Sequence, residues 1–109
     1  MAETRKVLGQ VVPNATTLTD AYTVPASTQA VVSSITVSNN SAVATSFRIS
    51  VAVAGAADNA KQYLYYDVAI TGNTSFAAVI GITLGAADVV RVYATLATLA
   101  FNIYGVELT

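Results

Sequence analysis

The sequence contains neither cysteine nor histidine. Without cysteine there is no disulfide framework, no thiol nucleophile and no thiolate metal site. Without histidine, Ser-His-Asp and Cys-His catalysis and the commonest zinc sites fall away. Charge is also scarce. Charged residues make up 10% of the chain, against roughly 25% in an average soluble domain. The net charge is −1. Arg5 and Lys6 lie near the N-terminus, while Arg48, Lys61 and Arg91 are scattered. They form no basic stripe to neutralise phosphates, so nucleic acid is not an expected partner. No apolar run approaches the roughly 18 residues of a membrane helix. The longest candidate, Ala77–Ala87, is interrupted by Gly81, Thr83 and Gly85, and no membrane partner is expected. Residues 1–10 have no apolar core of a secretory signal, and none is expected.

What is present is hydrophobic and alternating. Hydrophobic residues account for 54% of 109 residues, and mean hydropathy is +0.58. That is high for a lone soluble chain of this size. It predicts a surface partly covered by other subunits, with a homotrimer as first expectation and a dimer as second. Period-two runs dominate. Val31, Ile35 and Val37 share one parity, as do Phe47, Ile49, Val51 and Val53, with Arg48 and Ser50 on the other. Val90 and Val92, then Leu99, Phe101 and Ile103, repeat the pattern at the C-terminal end. Such alternation marks half-buried strands, and Val, Ile, Phe and Tyr suit them.

Pro13-Asn14, Pro25, Asn39-Asn40, Gly55–Ala60, Gly72-Asn73 and Gly85–Asp88 punctuate the runs. The spacing predicts an all-β fold, a single antiparallel β-sandwich, jelly-roll-like, of about eight short strands. Residues 30–38 and 46–54 are expected to be neighbours, residues 76–84 one strand with an irregularity at Gly81, and residues 88–108 a closing hairpin. Residues 1–6 are expected as an N-terminal arm reaching a neighbouring subunit, and 7–109 as the sandwich. The predicted core is Val31, Ile35, Val37, Phe47, Ile49, Val51, Leu64, Val68, Phe76, Ile80, Val90, Val92, Phe101 and Ile103.

Candidate chemistry is thin. Glu3, Asp20, Asp58, Asp67, Asp88 and Glu107 include no pair close in sequence, and most stand at expected turns, so a two-carboxylate hydrolase is not predicted. Asp58-Asn59 has the composition of a calcium turn but not its ligand spacing. Gly81 and Gly85 lack the Lys-Ser/Thr of a phosphate loop. No catalytic residue, metal ligand or cofactor is implied. Asn14, Asn39 and Asn73 begin N-x-S/T triplets, and the last two already serve as turn residues. The tyrosines of KQYLYYDVAI are the cluster with binding potential. Tyr63 and Tyr65 are expected on one face, with Tyr66 opposed beside Leu64 and Val68, and a displayed tyrosine suits a protein interface or a sugar platform. Arg5, Lys6, Arg48, Tyr63 and Tyr65 are the candidate interface residues.

LGQVVPNATTLTDAYTVPAST, VSNNS, FRISVAVAGAA, KQYLYYDVAI, ITLGAADVVRVYA and FNIYGVEL, spanning Leu8 to Leu108, together resemble small virion structural proteins of tailed bacteriophages. More distantly, Leu84, Asp88, Val90 and Val92 followed by Phe101 and Gly105 are similar to the end of trimeric jelly rolls of the complement and tumour-necrosis-factor type. The phage resemblance implies a non-enzymatic building block made in the host cytoplasm and residing in the virion. Its first implied role is a capsid decoration, or cement, protein on the outer shell that bridges capsomers, with the major capsid protein or other virion proteins as partners. The alternative is a tail, neck, baseplate or fibre module, including one that binds host-surface carbohydrate.

Overall fold

The computed structural model describes residues 2–109. The alternating runs form β1 (Glu3–Val11), β2 (Thr19–Thr23), β3 (Gln29–Asn39), β4 (Thr45–Ala52), β5 (Tyr63–Ile70), β6 (Ser75–Ala78), β7 (Ile82–Leu84), β8 (Val89–Ala94) and β9 (Leu99–Leu108). Single 3-10 turns at Val53–Gly55 and Ala60–Gln62 are the helical pieces among the described residues. The strands make two antiparallel sheets. One runs β1-β9-β3-β6 with β7 also on β3, and the other β2-β8-β4-β5. β6 and β7 follow one another along the same edge of β3, Phe76 opposite Val37 and Ile82 opposite Val32. Counted as one interrupted strand, they leave eight strands, in the orders 1-8-3-6 and 2-7-4-5. That is the double-sheet jelly roll, so the expected antiparallel sandwich of about eight strands is what the chain builds.

Two expected pairings are corrected. β8 and β9 are joined by a short connection but lie in different sheets, and so do β3 and β4. Alternation fixes which side chains point inward, and both sheets of a sandwich read alike in this respect. Partner choice comes from packing the two sheets, which a single strand's pattern does not contain.

The expected arm is corrected as well. Met1 lies outside the described residues, but Glu3 to Lys6 are the first part of β1, facing Leu108 to Gly105 in register on β9. β1 is an edge strand, and charged side chains are tolerated and useful there because they discourage pairing with another chain.

The core lies between the sheets. Phe47 of the second sheet meets Phe76 and Phe101 of the first, with ring centroids 5.3 and 6.1 Å apart. Ile35, Val37, Ile49, Val90, Val92 and Ile103 are buried around it, as expected, and Val51, Val68 and Phe76 pack against it. Leu64, Val31 and Ile80 depart from the expectation. Between Val32 and Ser34 the β3–β9 register shifts by one residue. The bulge reverses parity, so Ala30 and Val32 point inward while Val31 is half-buried on the outer face. Gly105 sits at this bulge, where a β-carbon would collide with the Val31 carbonyl oxygen. Leu64 is exposed because β5 carries two register shifts against β4. Ile80 lies in the break between β6 and β7 and is half-exposed. Ser50, expected outside, is buried on the outer face of its sheet. Arg91 stands opposite it and donates to the carbonyls of Gly55 and Ala56, drawing the 53–62 loop over that end.

Candidate binding cleft

The irregularities of β5 decide what this strand displays. Ile49 faces Tyr65, whereas its neighbour Ser50 faces Tyr63, and Phe47 faces Val68. The two shifts leave Leu64 and the Tyr66-Asp67 step as extra residues. Asp67 takes a left-handed backbone, φ 51°, which Asp accepts more readily than most residues. Tyr65 and Val68 therefore point into the core, Tyr65 lying 5.5 Å from Phe76 and 6.5 Å from Phe47 between ring centroids. Tyr63 and Tyr66 are brought together instead, edge to face at 5.0 Å and 87°. The expected Tyr63–Tyr65 face does not exist, and Tyr65 is a core residue.

Arg48 on β4 completes the outer face. Its guanidinium carbon is 4.2 Å from the Tyr66 ring centroid and 4.3 Å from that of Tyr93, which stands opposite it on β8. Asp67 accepts from Arg48 Nε at 2.7 Å and from Nη2 at 3.5 Å. The cation is thus stacked on aromatic rings and neutralised by one carboxylate.

The facing wall is the 55–62 loop, held by side chains. Asn59 Oδ1 accepts from the Lys61 amide at 3.1 Å, and the buried Gln62 amide donates to the Ala57 carbonyl at 2.9 Å. Arg91 donates to Ala56 O at 2.7 Å and Gly55 O at 3.2 Å, and Asp88 Oδ1 accepts from the Ala54 amide at 2.9 Å. Between wall and sheet is a cleft of about 570 Å³ lined by Arg48, Asp58, Asn59, Ala60, Tyr63 and Tyr66. Burial, and then the neighbouring Asp58 carboxylate, push the Tyr63 hydroxyl above its ordinary pKa.

No protein-family model matches the chain, and no curated protein or solved structure is detectably similar to it.

The carboxylates separate by role. Glu3, Asp20, Asp67 and Glu107 are ion-paired with Arg5, Arg91, Arg48 and Lys6, and Asp88 accepts from the Ala54 and Gly85 amides. Asp58 forms no ion pair among the described residues and stands in the cleft. Of the candidate residues, the structure unites Arg48 and Tyr63. It places Arg5 and Lys6 on β1 of the other sheet, Arg5 3.1 Å from Glu3 and Lys6 2.9 Å from Glu107. Tyr66, Asp58 and Asn59 are cleft residues that sequence reasoning missed. Tyr66 was hidden by the assumption of unbroken alternation, and Asp58-Asn59 has the composition of an ordinary turn.

The opposite outer face, on the β1-β9-β3-β6 sheet, is of another kind. Val7 and Ser34 flank Tyr104, and Gln10 and Thr36 flank Asn102, with Gln10 Nε2 donating to Asn102 Oδ1 at 2.7 Å. Val31, Ser38, Ala77 and Ala100 extend the face. Its charges, Glu3 and Arg5, are at one end and bonded to each other.

Proposed function

We propose that this chain is a non-enzymatic structural protein of a tailed-bacteriophage virion, a capsid decoration protein that binds the outer shell, bridges capsomers and acts as a homo-oligomer. The observation carrying the reading is the uncharged outer face around Tyr104, Asn102 and Thr36. Apolar, hydroxyl and amide groups on a sheet face suit attachment by buried area rather than by ion pairs. The resemblance of the sequence to small phage virion proteins supports the reading. So does the jelly-roll topology, an architecture used in viral capsids, although fold alone does not imply function. The non-catalytic part of the reading rests on the lack of His and Cys and on the engagement of the other five carboxylates, which leaves Asp58 without a second acid.

The test is to mix purified protein with undecorated capsids at low and high salt and measure occupancy. Attachment that survives salt and weakens in urea is expected, since salt screens exposed charges over roughly 10 Å at 0.1 M. Complete release by moderate salt contradicts the mechanism.

A second reading, a tail or fibre module that recognises the host surface, is favoured by the cleft on the opposite sheet. Binding to tails or host polysaccharide in place of capsids selects it.

A further inference from the structure

We infer that the Arg48–Asp58–Tyr63–Tyr66 cleft is a binding site for a neutral saccharide, a pyranose unit of an uncharged glycan. The inference rests on the second reading above, that this face recognises a surface, and names the ligand class.

The chemistry of the lining selects the class by elimination. An anionic ligand would need a free cation. Arg48 is the one basic side chain in the cleft lining, and Asp67 neutralises it at 2.7 Å while Asp58 adds negative charge. A cationic ligand would want Asp58 and an open aromatic face. The cation position on the Tyr66 ring is already taken by the Arg48 guanidinium, 4.2 Å from its centroid. A purely apolar ligand would cover the Asp58 carboxylate, the Asn59 amide and the Tyr63 hydroxyl without replacing their water, at a cost of a few kcal/mol per group.

A neutral ring with hydroxyls on its edge and C–H groups on its face meets every demand. Tyr66 remains 57% exposed with Arg48 in place, and the aromatic surface that Arg48 leaves uncovered is offered to the C–H face. Asp58 accepts from ligand hydroxyls through charge-assisted bonds. Asn59 Oδ1 is taken by the Lys61 amide, which leaves its NH₂ group to donate. The Tyr63 hydroxyl lies beside the Asp58 carboxylate and can orient it toward a ligand hydroxyl. The cleft of about 570 Å³ falls within the roughly 300–1,000 Å³ of small-ligand sites. Both walls are held before any ligand arrives, by Arg48 on the rings and by Arg91, Gln62 and Asn59 on the loop. Such preorganisation lowers the ordering cost of binding.

The experiment uses the full chain, isotope-labelled, titrated with neutral di- and trisaccharides of hexose and N-acetylhexosamine, with sialylated and sulfated counterparts, and with intact host polysaccharide. Amide shifts confined to residues 58–66 and to Arg48 and its neighbours, caused by at least one neutral sugar, are expected. Tyr66→Ala and Asp58→Asn should each weaken that binding about ten-fold or more, and Val79→Ser, on the far sheet edge, should not. Asp58→Asn is nearly isosteric, so it keeps the test valid if Tyr66→Ala perturbs the strand. Anionic glycans binding as tightly as neutral ones would overturn the inference. Host polysaccharide binding that ignores both variants would overturn it while leaving the surface-recognition reading intact, and silence across all sugars would remove both.

Discussion

The Tyr22 hydroxyl donates to Glu107 Oε2 at 2.7 Å across the gap between the two sheets. Tyr22 belongs to β2 of one sheet and Glu107 to β9 of the other, and both are 8% exposed. Lys6 Nζ closes the group at 2.9 Å from Glu107 Oε1. A carboxylate facing the interior of a hydrophobic sandwich is tolerable only because a hydroxyl and an ammonium satisfy it. The Tyr22 bond, then Lys6, hold the Glu107 carboxyl below its ordinary 4.5. Burial, then Glu107, push the Tyr22 hydroxyl up from 10.0.

Removing one partner leaves the others short. Tyr22→Phe is expected to cost about 1.5–3 kcal/mol, the range for a hydrogen bond to a charged group, measured by urea unfolding. Because Glu107's folded pKa lies below its unfolded value, its contribution is full above about 4.5 and drains away as pH falls through the folded value. Tyr22's folded pKa is raised, so its contribution is full below 10.0 and is lost as pH rises beyond it. Unfolding midpoints followed with pH should be level between these limits and fall on both sides. Tyr22→Phe should shrink the alkaline fall to the share carried by Tyr63, whose hydroxyl is also pushed up, and soften the acid one.

The edge position of β1 makes a truncation informative. Deleting residues 1–6 removes the Glu3–Lys6 ladder on β9 and the Lys6 partner of Glu107. The expected result is a loss of about 2 kcal/mol or more, since a buried carboxylate is left short of a partner. A detachable arm would leave the melting temperature unchanged.

The β3 bulge separates two adjacent valines. Val32 is fully buried and Val31 is on the outer face. Val32→Ala should cost roughly 1–3 kcal/mol through lost burial and a cavity, and Val31→Ala less than about 1. Gly105→Ala should destabilise by roughly 1–3 kcal/mol, because the added methyl meets the Val31 carbonyl rather than a movable side chain. Equal effects at Val31 and Val32 in thermal unfolding would mean the bulge is misplaced.

Arg48 is expected to act through its shape as much as its charge. Arg48→Lys keeps the cation but loses the planar stack on Tyr66 and Tyr93 and the fork onto Asp67. A loss of about 1 kcal/mol is expected, since Asp67 is 48% exposed and its ion pair is screened by water. A double-mutant cycle with Tyr93→Leu should recover a coupling of roughly 0.5–1 kcal/mol.

Tyr104 stands in the middle of the uncharged face. Tyr104→Glu should leave stability within about 0.5 kcal/mol, as surface changes usually do. On the proposed shell-binding mechanism it should reduce capsid occupancy at least roughly ten-fold, because an unpaired charge would be buried in the contact. Undiminished occupancy would move the attachment site to another surface.

Much of this molecule is determined by local sequence. Phe47 with Ile49, Val90 with Val92, and Phe101 with Ile103 point inward because a strand's side chains alternate. The turns at Asn39-Asn40 and Gly72-Asn73 stop strands for reasons internal to those residues. These suffice for an all-β sandwich of about eight strands. Tertiary structure alone decided three things. It sent β9 to the opposite sheet from β8, because pairing is chosen by how two hydrophobic faces close on each other. It placed the β3 and β5 bulges, since an extra residue is accommodated only against a particular partner strand, and the β5 bulges exchanged Tyr65 for Tyr66 on the outer face. It also joined Lys6, Tyr22 and Glu107, and Arg48, Asp58 and Tyr66, because residues far apart in the chain become neighbours only after the sheets have packed.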